Sequence, residues 1–440
     1  MKIVVLTLLQ FVLKVLAKAT LLRYSPGIVG ITGSVGKTST KEAVKTVLAK
    51  ERSVRSPSKN FNNELGLPLA ILGDWETTGG IFFWLKVVVV GLFGLIVTRK
   101  RYPEILVLEY AVDRPGDMKY LLDIARPHIG VFTAMGDIPV HVEFFAGPEA
   151  VMREKGKMIA QLPATGFAIL NADDPLVMQM KSQTRAKVIT FGFEDRADAH
   201  IANFTNRFDG KSGGISCKLS YGGSTVPVRI DRALGKSQAY SIAAAAAVGL
   251  IFGMNLIKIA EALSDYEAPA GRLKFIQGVR ESFLIDDTYN ASPAAMEAAL
   301  ETLKSLNAKR KIAVLGDMLE IGKYTLEAHE AVGSSLKKRG IDLLITVGLR
   351  GKLIAEAALR TGFPAKDIAS FMNVDEAGRC LQSKIQKGDL VLVKGSQGVR
   401  LEKVVKEVMA EPMRAEELLV RSGPEWLRKR GLYEGEEALQ

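Results

Sequence analysis

The sequence has little cysteine and little histidine, with two cysteines and four histidines in 440 residues. Cys217 and Cys380 lie far apart in the chain, so they cannot build a disulfide framework or a cysteine zinc cluster, and a reducing compartment is the simpler interpretation. Internal repeats and low-complexity segments are not evident. With 48% hydrophobic and 24% charged residues, the composition excludes a disordered or collagen-like chain. The length predicts two or three domains.

Acidic residues are the scarcer charged class, with 48 Asp and Glu against 59 Lys and Arg, which gives a formal net charge of +11. Such an excess suits nucleic acid, an anionic membrane or phosphorylated substrates. Most basic residues alternate with acidic ones along predicted helices, and no stripe of aromatic and basic residues occurs. We therefore expect no nucleic-acid partner; the alternative, a nucleic-acid-stimulated ATPase, predicts turnover that falls steeply with salt.

The first hydrophobic stretch covers residues 3–22. Thr7, Gln10, Lys14 and Lys18 recur at spacings of three and four and form one polar stripe, which predicts an apolar amphipathic helix within residues 1–26 rather than a membrane span. A secretory signal is disfavoured because Lys14 interrupts the apolar run. We expect an interfacial membrane anchor, with a buried packing helix as the alternative.

The second hydrophobic stretch covers residues 81–97 and carries one charge, Lys86, before the basic run Arg99, Lys100 and Arg101. As a straight helix it reaches roughly 26 Å, slightly less than the bilayer core of about 30 Å. We favour membrane attachment because of the basic end, as a dipping or interfacial segment bent at Gly91 and Gly94. An apolar oligomer contact and a core helix are the alternatives.

From Gly27 onwards the sequence alternates strands and helices, which predicts an α/β fold with a mostly parallel sheet. Residues 27–268 form the expected central domain, with 81–101 as an apolar insertion and 198–230 as a small antiparallel patch. Proline and glycine at 267–271 predict a linker to a second α/β domain, residues 269–440, that ends in a peripheral helical tail after Glu411. The predicted strands are 28–31, 105–109, 129–133, 283–286, 311–315, 343–347 and 390–393, and the predicted helices are 37–50, 148–161 and 238–253.

A glycine-rich loop follows the first predicted strand directly and opens the next helix. It reads Thr32, Gly33, Ser34, Val35, Gly36, Lys37, Thr38, Ser39. Glycines let backbone amides close on phosphate oxygens, Lys37 reaches the outer phosphates and Thr38 can hold magnesium. Isoleucine stands at position 31, where the strict Walker spacing has glycine, so the match is to the shorter T-G-x-x-G-K-T form. The loop predicts a nucleotide site.

Glu109 closes the apolar strand 105–109, which places its carboxylate at the edge of the sheet where magnesium ligands of such sites lie. If Lys37 and Glu109 belong to one site, a single membrane crossing by the intervening residues 81–97 is excluded, because it would divide the site. His141 follows the next strand and Lys155 lies on the next helix. Alone, these two are an ordinary loop histidine and an ordinary surface lysine.

Together with these residues, six further segments resemble the Mur ligase family of ATP-dependent amide-forming enzymes, over roughly residues 27–410. Residues 59–68 resemble its N-x-N-N-x-x-G-x-P segment and 170–174 its N-A-D-D turn. Beyond the linker, four segments resemble the branch of this family that adds D-alanyl-D-alanine. They are residues 271–272, 285–293, 315–320 and 393–396. The resemblance implies a central P-loop ATPase domain followed by a C-terminal Rossmann-like α/β domain.

The resemblance also implies roles for single residues. The loop from Thr32 to Ser39 would hold ATP and one magnesium ion, and Lys37 and Thr38 would bind the phosphates and the ion directly. A second magnesium ion would be held by Glu109, His141 and Lys155, the last matching a lysine that the family carbamylates. Arg272 would reach the γ-phosphate from the second domain, with Asp287 and Asn290 near the nucleotide. Lys37, Lys155, His141 and Arg272 are the expected catalytic residues, and their division between two domains implies closure before chemistry.

The sequence departs from the family pattern at the substrate-facing parts. Only about 26 residues precede the strand that leads into the phosphate loop, so we expect the usual N-terminal UDP-sugar-binding domain to be missing. Residues 235–241 differ from the family's G-x-H-N-x-x-N helix near adenine. Ser292 replaces a typical asparagine, and Gln397 stands where a basic residue is common.

The function expected from the resemblance is ATP-dependent amide-bond formation through an acyl phosphate, adding D-alanyl-D-alanine to a muramoyl-peptide precursor of peptidoglycan. The chain would be cytoplasmic, attached at the inner face of the cytoplasmic membrane if the apolar segments bind there. One alternative is a ligase for a lipid-linked or membrane-presented carboxylate. Another is a nucleotide-binding scaffold without ligase activity. The oligomeric state stays open.

Overall fold

The computed structural model describes residues 2–57, 61–75, 79–97, 102–423, 426 and 431–432. The basic run Arg99, Lys100 and Arg101 and the first two residues of the 59–68 segment lie outside the described residues. The helices are α1 (Lys2–Tyr24), α2 (Lys37–Leu48), α3 (Gly66–Leu72), α4 (Ile81–Ile96), α5 (Asp117–Ile124), α6 (Pro148–Ala160), α7 (Pro175–Met178), α8 (Lys236–Ile251), α9 (Leu256–Leu263), α10 (Pro293–Ser305), α11 (Thr325–Ser335), α12 (Gly351–Arg360), α13 (Val374–Lys384), α14 (Glu402–Val408) and α15 (Ala415–Leu418).

The strands form two sheets, one on each side of the predicted linker. They are β1 (Gly27–Thr32), β2 (Val54–Arg55), β3 (Ile105–Glu109), β4 (Ile129–Phe132), β5 (Phe167–Asn171), β6 (Lys187–Gly192), β7 (Ala199–Phe208), β8 (Gly213–Tyr221), β9 (Ser224–Asp231), β10 (Lys274–Gln277), β11 (Phe283–Asp287), β12 (Arg310–Gly316), β13 (Leu343–Val347), β14 (Ile368–Phe371) and β15 (Asp389–Lys394).

The first sheet has nine strands in the order β2-β3-β1-β4-β5-β6-β7-β8-β9. Its strands are parallel from β2 to β7, and β7, β8 and β9 pair antiparallel. Both the parallel sheet and the antiparallel patch are therefore confirmed. Because β3 and β4 flank β1, the loop after β1 lies beside the ends of both strands, where Glu109 and Thr133 are found.

Helix α8 explains why the phosphate-loop helix is fixed firmly on this sheet. Its run of five alanines, residues 243–247, is fully buried, and α2 packs against it. A Cβ on Gly249 would lie 2.8 Å from Val47 Cγ1, so the small side chain allows the two helices to approach closely. The alanine-rich composition thus sets the position of α2 and of the loop before it.

The second sheet has six strands in the order β10-β11-β15-β12-β13-β14. Only β10 is antiparallel to its neighbour, and the buried strands β11, β12, β13 and β15 confirm the four predicted for this half of the chain. Strands β2, β5, β6, β10 and β14 are additional to those predicted. In the described part of the tail after Glu411, α15 is a helix of a single turn.

Helices α1, α3 and α4 form a layer beside the first sheet, with α1 in contact with both α3 and α4. Helix α4 runs unbroken through Gly91 and Gly94. A Cβ on Gly91 would lie 3.4 Å from both Leu16 Cδ1 and Leu72 Cδ2, which shows that Gly91 faces the neighbouring helices. Within the described residues, no helix combines the length and the apolarity needed to cross a membrane.

Candidate active site

The loop between β1 and α2 is shaped by two glycines with positive φ angles, Gly33 at 139° and Gly36 at 88°. A Cβ on Gly33 would lie 2.1 Å from Thr133 Oγ1, so no larger residue fits at this position without rearrangement. Thr133 in turn donates a hydrogen bond to the Val35 carbonyl at 2.6 Å. The end of β4 therefore holds the loop in the conformation that a phosphate group requires.

Lys37 and Lys155 converge on this loop from different helices. Both ammonium groups donate to the Gly33 carbonyl, at 2.9 Å from Lys37 Nζ and 3.2 Å from Lys155 Nζ. Burial, together with the charge of Lys37, lowers the pKa of Lys155 to about 7. Burial also lowers the pKa of Lys37, although Glu109 and Asp113 oppose this shift. Lys155 is thus a buried amine that loses its proton easily, unlike the surface lysine that position alone would suggest.

Glu109 lies at the end of β3, directly beside the loop, and its side chain is buried. Thr38 Oγ1 donates to Glu109 Oε2 at 3.2 Å, and Asn62 Nδ2 donates to Oε1 at 3.1 Å. Burial alone would raise the pKa of this carboxyl, but Lys37, Lys41 and the Asn62 hydrogen bond outweigh it and hold the pKa below its ordinary value. Glu109 is therefore an ionised carboxylate among cations.

Arg272 brings a positive charge from beyond the linker to the same place. Its guanidinium Nη2 lies 3.5 Å from Thr38 Oγ1, and its Cζ lies 3.8 Å from the centroid of the Tyr289 ring. Gln238 of α8 donates to the Arg272 carbonyl at 2.7 Å and so fixes the backbone. The two halves of the predicted site are already in contact in this arrangement.

Asp287 ends β11 at the carboxyl edge of the second sheet, and Asn290 follows in the next loop. Asp287 forms an ion pair of 2.6 Å with Lys394 and accepts a hydrogen bond from the amide of Leu273. Lys394 also donates to the Asn290 carbonyl at 2.9 Å. This geometry makes Asp287 a brace between Lys394 and the residue that follows Arg272.

His141 adopts a left-handed backbone conformation, with φ 69°, and both of its ring nitrogens face carboxylates. Nδ1 lies 2.9 Å from Glu320 Oε2 of the second half, and Nε2 lies 3.2 Å from Asp113 Oδ1 of the first. The hydrogen bond with His141 lowers the pKa of Glu320. His141 therefore forms a polar bridge between the two halves of the chain.

A cavity of about 450 Å³ joins these groups. Its walls include eight of the predicted site residues and the two positions that differ from the family pattern, Ser292 and Gln397. The eight are Ser34, Val35, Lys37, Glu109, His141, Lys155, Arg272 and Asn290. Thr38 and Asp287 contact wall residues without lining the cavity themselves. Residues 235–241 do not line it, although Gln238 within them holds Arg272.

The donor groups at the phosphate loop fit a magnesium ion bound together with nucleotide phosphates. Thr38 and Glu109 offer neighbouring oxygens, the ligand type that magnesium prefers. Among the described residues, no three carboxylate, imidazole or thiolate groups cluster closely enough to bind a metal by themselves. The protein would thus supply few ligands and the phosphates the others. His141 could join Glu109 and Lys155 only after exchanging a carboxylate partner.

Several site residues were not singled out from the sequence. Tyr289 was quoted only as part of a motif, yet its ring supports Arg272. Asp113 carried no signal, because only the fold places it against His141. Arg421 lies in the tail and donates to the carbonyls of Thr288 and Tyr289, at 2.5 and 3.1 Å. A buried arginine in a charged tail cannot be told from an exposed one by sequence pattern.

Comparison with protein families matches two successive segments of the chain. Residues 93–249 match the family described as Mur ligase middle domain, and residues 271–397 match Mur ligase, glutamate ligase domain. The two matched segments lie on either side of the linker at 267–271.

Comparison with known proteins finds both similar sequences and similar solved structures. The UDP-N-acetylmuramoyl-tripeptide–D-alanyl-D-alanine ligase of Bacillus subtilis is 30% identical over 403 residues, which cover 91% of this chain and 80% of the relative. The MurF ligase of Thermotoga maritima in complex with ADP is 28% identical, with a TM-score of 0.74 over 93% of this chain and 84% of that one. MurF from Acinetobacter baumannii, at 24% identity, shares the fold with a TM-score of 0.74 over 92% of this chain and 80% of that one.

Proposed function

This chain belongs to the Mur ligase family, and we propose that it is an ATP-dependent ligase that joins D-alanyl-D-alanine to the carboxylate of a UDP-linked muramoyl tripeptide. Related proteins that carry this activity in their names match most of the chain, the Bacillus subtilis ligase among them. The observation that carries the proposal is the meeting of Lys37, Glu109 and Lys155 with Arg272 around one cavity. We propose a cytoplasmic location because the reaction consumes ATP.

The cation arrangement suits phosphoryl transfer to a carboxylate. An oxygen of the acceptor carboxylate attacks the γ-phosphorus, the bond to the bridging oxygen breaks, and ADP leaves an acyl phosphate behind. Negative charge builds on the migrating group, and Lys37 and Arg272 approach it from the two halves of the chain. Because neither half provides both cations, the step requires the contact between Arg272 and the phosphate loop that the structure shows.

In the second step, the free amine of the dipeptide attacks the acyl carbon. The carbon–oxygen bond to the phosphoryl group breaks, inorganic phosphate leaves, and the nitrogen loses a proton as the amide forms. An acyl phosphate also reacts with water, so the site must keep water out until the amine binds. Ser292 and Gln397 of the second half line one side of the cavity, and we propose that they position the incoming dipeptide, with Asn290 of the same wall near the nucleotide.

We propose that ATP binds with magnesium at the phosphate loop. Thr38 and Glu109 would hold one ion, and Glu109, His141 and Lys155 would hold a second. A magnesium ion supplies positive charge that neutralises the phosphate oxygens during transfer. The contacts of its two ring nitrogens with Asp113 and Glu320 hold the His141 ring between the two halves, in the wall of the cavity that Glu109 and Lys155 also line.

Lys155 is suited to carbamylation in place. Its amine attacks carbon dioxide, a nitrogen–carbon bond forms, and one proton leaves, so the cation becomes a carboxylate able to bind a metal. The reaction requires a neutral amine, and the lowered pKa of about 7 supplies one at physiological pH. Removing the Lys155 cation also relieves its repulsion with Lys37.

A second candidate function, ligation of a carboxylate presented at a membrane, is favoured by one arrangement. Gln10 of α1 and Asp113 line a second cavity of about 360 Å³, and Asp113 also lines the site cavity. Exposed apolar side chains lie on α1, on the other side of the helix. An acceptor carboxylate could thus reach the site along α1 from a lipid surface.

Product analysis tests the proposed activity. Purified protein is incubated with ATP, magnesium, UDP-muramoyl tripeptide and D-alanyl-D-alanine, and phosphate and product mass are measured. Phosphate release that needs both substrates, with the pentapeptide product, is the expected result. Lys37→Ala should abolish it, whereas Lys338→Ala, at an exposed position of the second half, should not. Nucleotide binding without turnover on soluble or membrane-presented acceptors would instead support the scaffold alternative.

A further inference from the structure

Helix α1 presents an apolar side to solvent, with Leu8, Phe11 and Val15 exposed at intervals of three and four residues. Lys14 and Lys18 do not cover this side. They are partly exposed and form ion pairs of 2.6 and 2.9 Å with Asp123 of α5. On an ordinary surface helix, polar and charged residues cover the solvent side.

Helix α4 repeats this arrangement beside α1. Its buried side carries Gly91 and Gly94, which face the neighbouring helices, and Tyr24 donates to the Gly94 carbonyl at 2.5 Å. Its exposed side carries large apolar residues at helical intervals, among them Phe82, Val89 and Phe93, of which Phe82 is 84% exposed. Two adjoining helices therefore each present an apolar stripe to solvent, a combination that marks an interaction surface.

In the sequence, the two helices and their flanking residues carry charge of one sign; Asp123 of α5, which pairs with Lys14 and Lys18, is an acidic neighbour. Residues 1–26 contain four basic residues and no acidic ones, and residues 79–101 likewise contain four basic residues and no acidic ones. An anionic lipid surface offers the complementary charge and an apolar interior. A second copy of this chain would instead bring two positively charged faces together, which Coulomb repulsion disfavours.

We propose that this surface, defined by Leu8, Phe11 and Val15 of α1 and Phe82, Val89 and Phe93 of α4, docks on an anionic lipid membrane. Helix α4 spans about 24 Å at the rise of an α-helix, so it lies in the membrane interface rather than across the bilayer. The membrane contact itself is independent of the proposed ligase activity. Its use, to bring the site to a membrane-presented acceptor, rests on that activity.

Vesicle sedimentation of the full chain tests the proposal. The protein should sediment with phosphatidylglycerol vesicles, much less with phosphatidylcholine vesicles, and less as salt rises. The double variant Phe11→Asn, Phe93→Asn should weaken binding roughly tenfold or more, because apolar area no longer enters the interface. The control Leu326→Asn, Leu359→Asn changes two exposed apolar residues on α11 and α12 and should bind as the unaltered protein does.

Three outcomes would overturn the proposal. The first is absence of sedimentation with phosphatidylglycerol, and the second is binding that the Phe11 and Phe93 changes leave intact. The third is a dimer in analytical ultracentrifugation that this double variant abolishes, which would assign the surface to a second copy. The soluble ligase assay separates the two proposals. Unaltered protein that turns over but does not bind phosphatidylglycerol vesicles contradicts only the docking surface, and unaltered protein that binds them but does not turn over contradicts only the ligase assignment.

Discussion

Arg272 stacks on the Tyr289 ring and, from the second half of the chain, contacts Thr38 of the phosphate loop. The guanidinium carbon lies 3.8 Å from the ring centroid, and Nη2 lies 3.5 Å from Thr38 Oγ1. A planar cation on an aromatic face keeps a fixed orientation, which a flexible ammonium does not share. The orientation of Arg272, and not only its charge, is therefore expected to matter for phosphoryl transfer.

Arg272→Lys should lower kcat by about 100-fold, since lysine keeps the charge but loses the stacked, fork-shaped geometry. The KM for ATP should change little, because Lys37 and the loop amides still bind the nucleotide. Steady-state phosphate release measures both constants. Arg360→Lys, on the exposed surface of α12, is the matched control. A change of less than threefold in kcat for Arg272→Lys would contradict the assigned role.

Carbamylation of Lys155 should follow the titration of an amine with a pKa of about 7. The neutral fraction rises as pH passes through 7 and then levels, whereas an ordinary lysine near 10.5 keeps rising up to that pH. Carbon-13 NMR with labelled bicarbonate, at fixed dissolved carbon dioxide, measures the initial rate of carbamate formation. The signal should vanish in Lys155→Met and persist in Lys157→Met. A rate that still rises tenfold between pH 8 and pH 9 would contradict the lowered pKa.

His141 and its partner Glu320 should differ in their effect on magnesium. If His141 binds the ion, His141→Ala should raise the magnesium concentration for half-maximal activity by about tenfold. Glu320→Ala removes only a competing partner of the ring and should leave this concentration unchanged or lower it. Magnesium titrations of both variants give the answer. An equal rise in both would assign His141 to the contact between the halves instead.

Arg421 should stabilise the loop that carries Tyr289. Its side chain is 5% exposed, it donates to two backbone carbonyls of that loop, and it pairs with the buried Glu402. Arg421→Met should cost about 3 kcal/mol of stability, because a buried charge loses a partner. Urea unfolding measures this cost. Arg414→Met, an exposed tail arginine paired with Glu411 and Glu417, should leave the unfolding midpoint unchanged.

Local sequence signals predicted the parts of the site that are built from contiguous residues. Gly33 and Gly36 are needed for a loop that follows one strand, and Glu109 ends a buried strand, so both could be found without the fold. Lys155 was an ordinary lysine by pattern and gained a role only from the family resemblance. Its proximity to Lys37 depends on how α6 packs.

Contacts between distant segments could not be predicted. Asp113, Glu320 and Arg421 are charged residues outside any recognisable sequence motif. Only tertiary packing shows that Asp113 and Glu320 face His141 and that Arg421 contacts the Tyr289 backbone. The apolar stretch 81–97 was recognised by composition. Gly91 faces Leu16 and Leu72, and this contact depends on how α1, α3 and α4 pack, which no local pattern reveals.

Transfer of an oxygen isotope tests the central claim most directly. The acceptor tripeptide is labelled with oxygen-18 in its reacting carboxylate, and the inorganic phosphate released with ATP and D-alanyl-D-alanine is analysed by mass. An acyl phosphate predicts one labelled oxygen in the phosphate for each amide formed, because the carboxylate oxygen that attacks the γ-phosphorus leaves with it. Unlabelled phosphate, or phosphate released without the acceptor, would contradict ligation at this site.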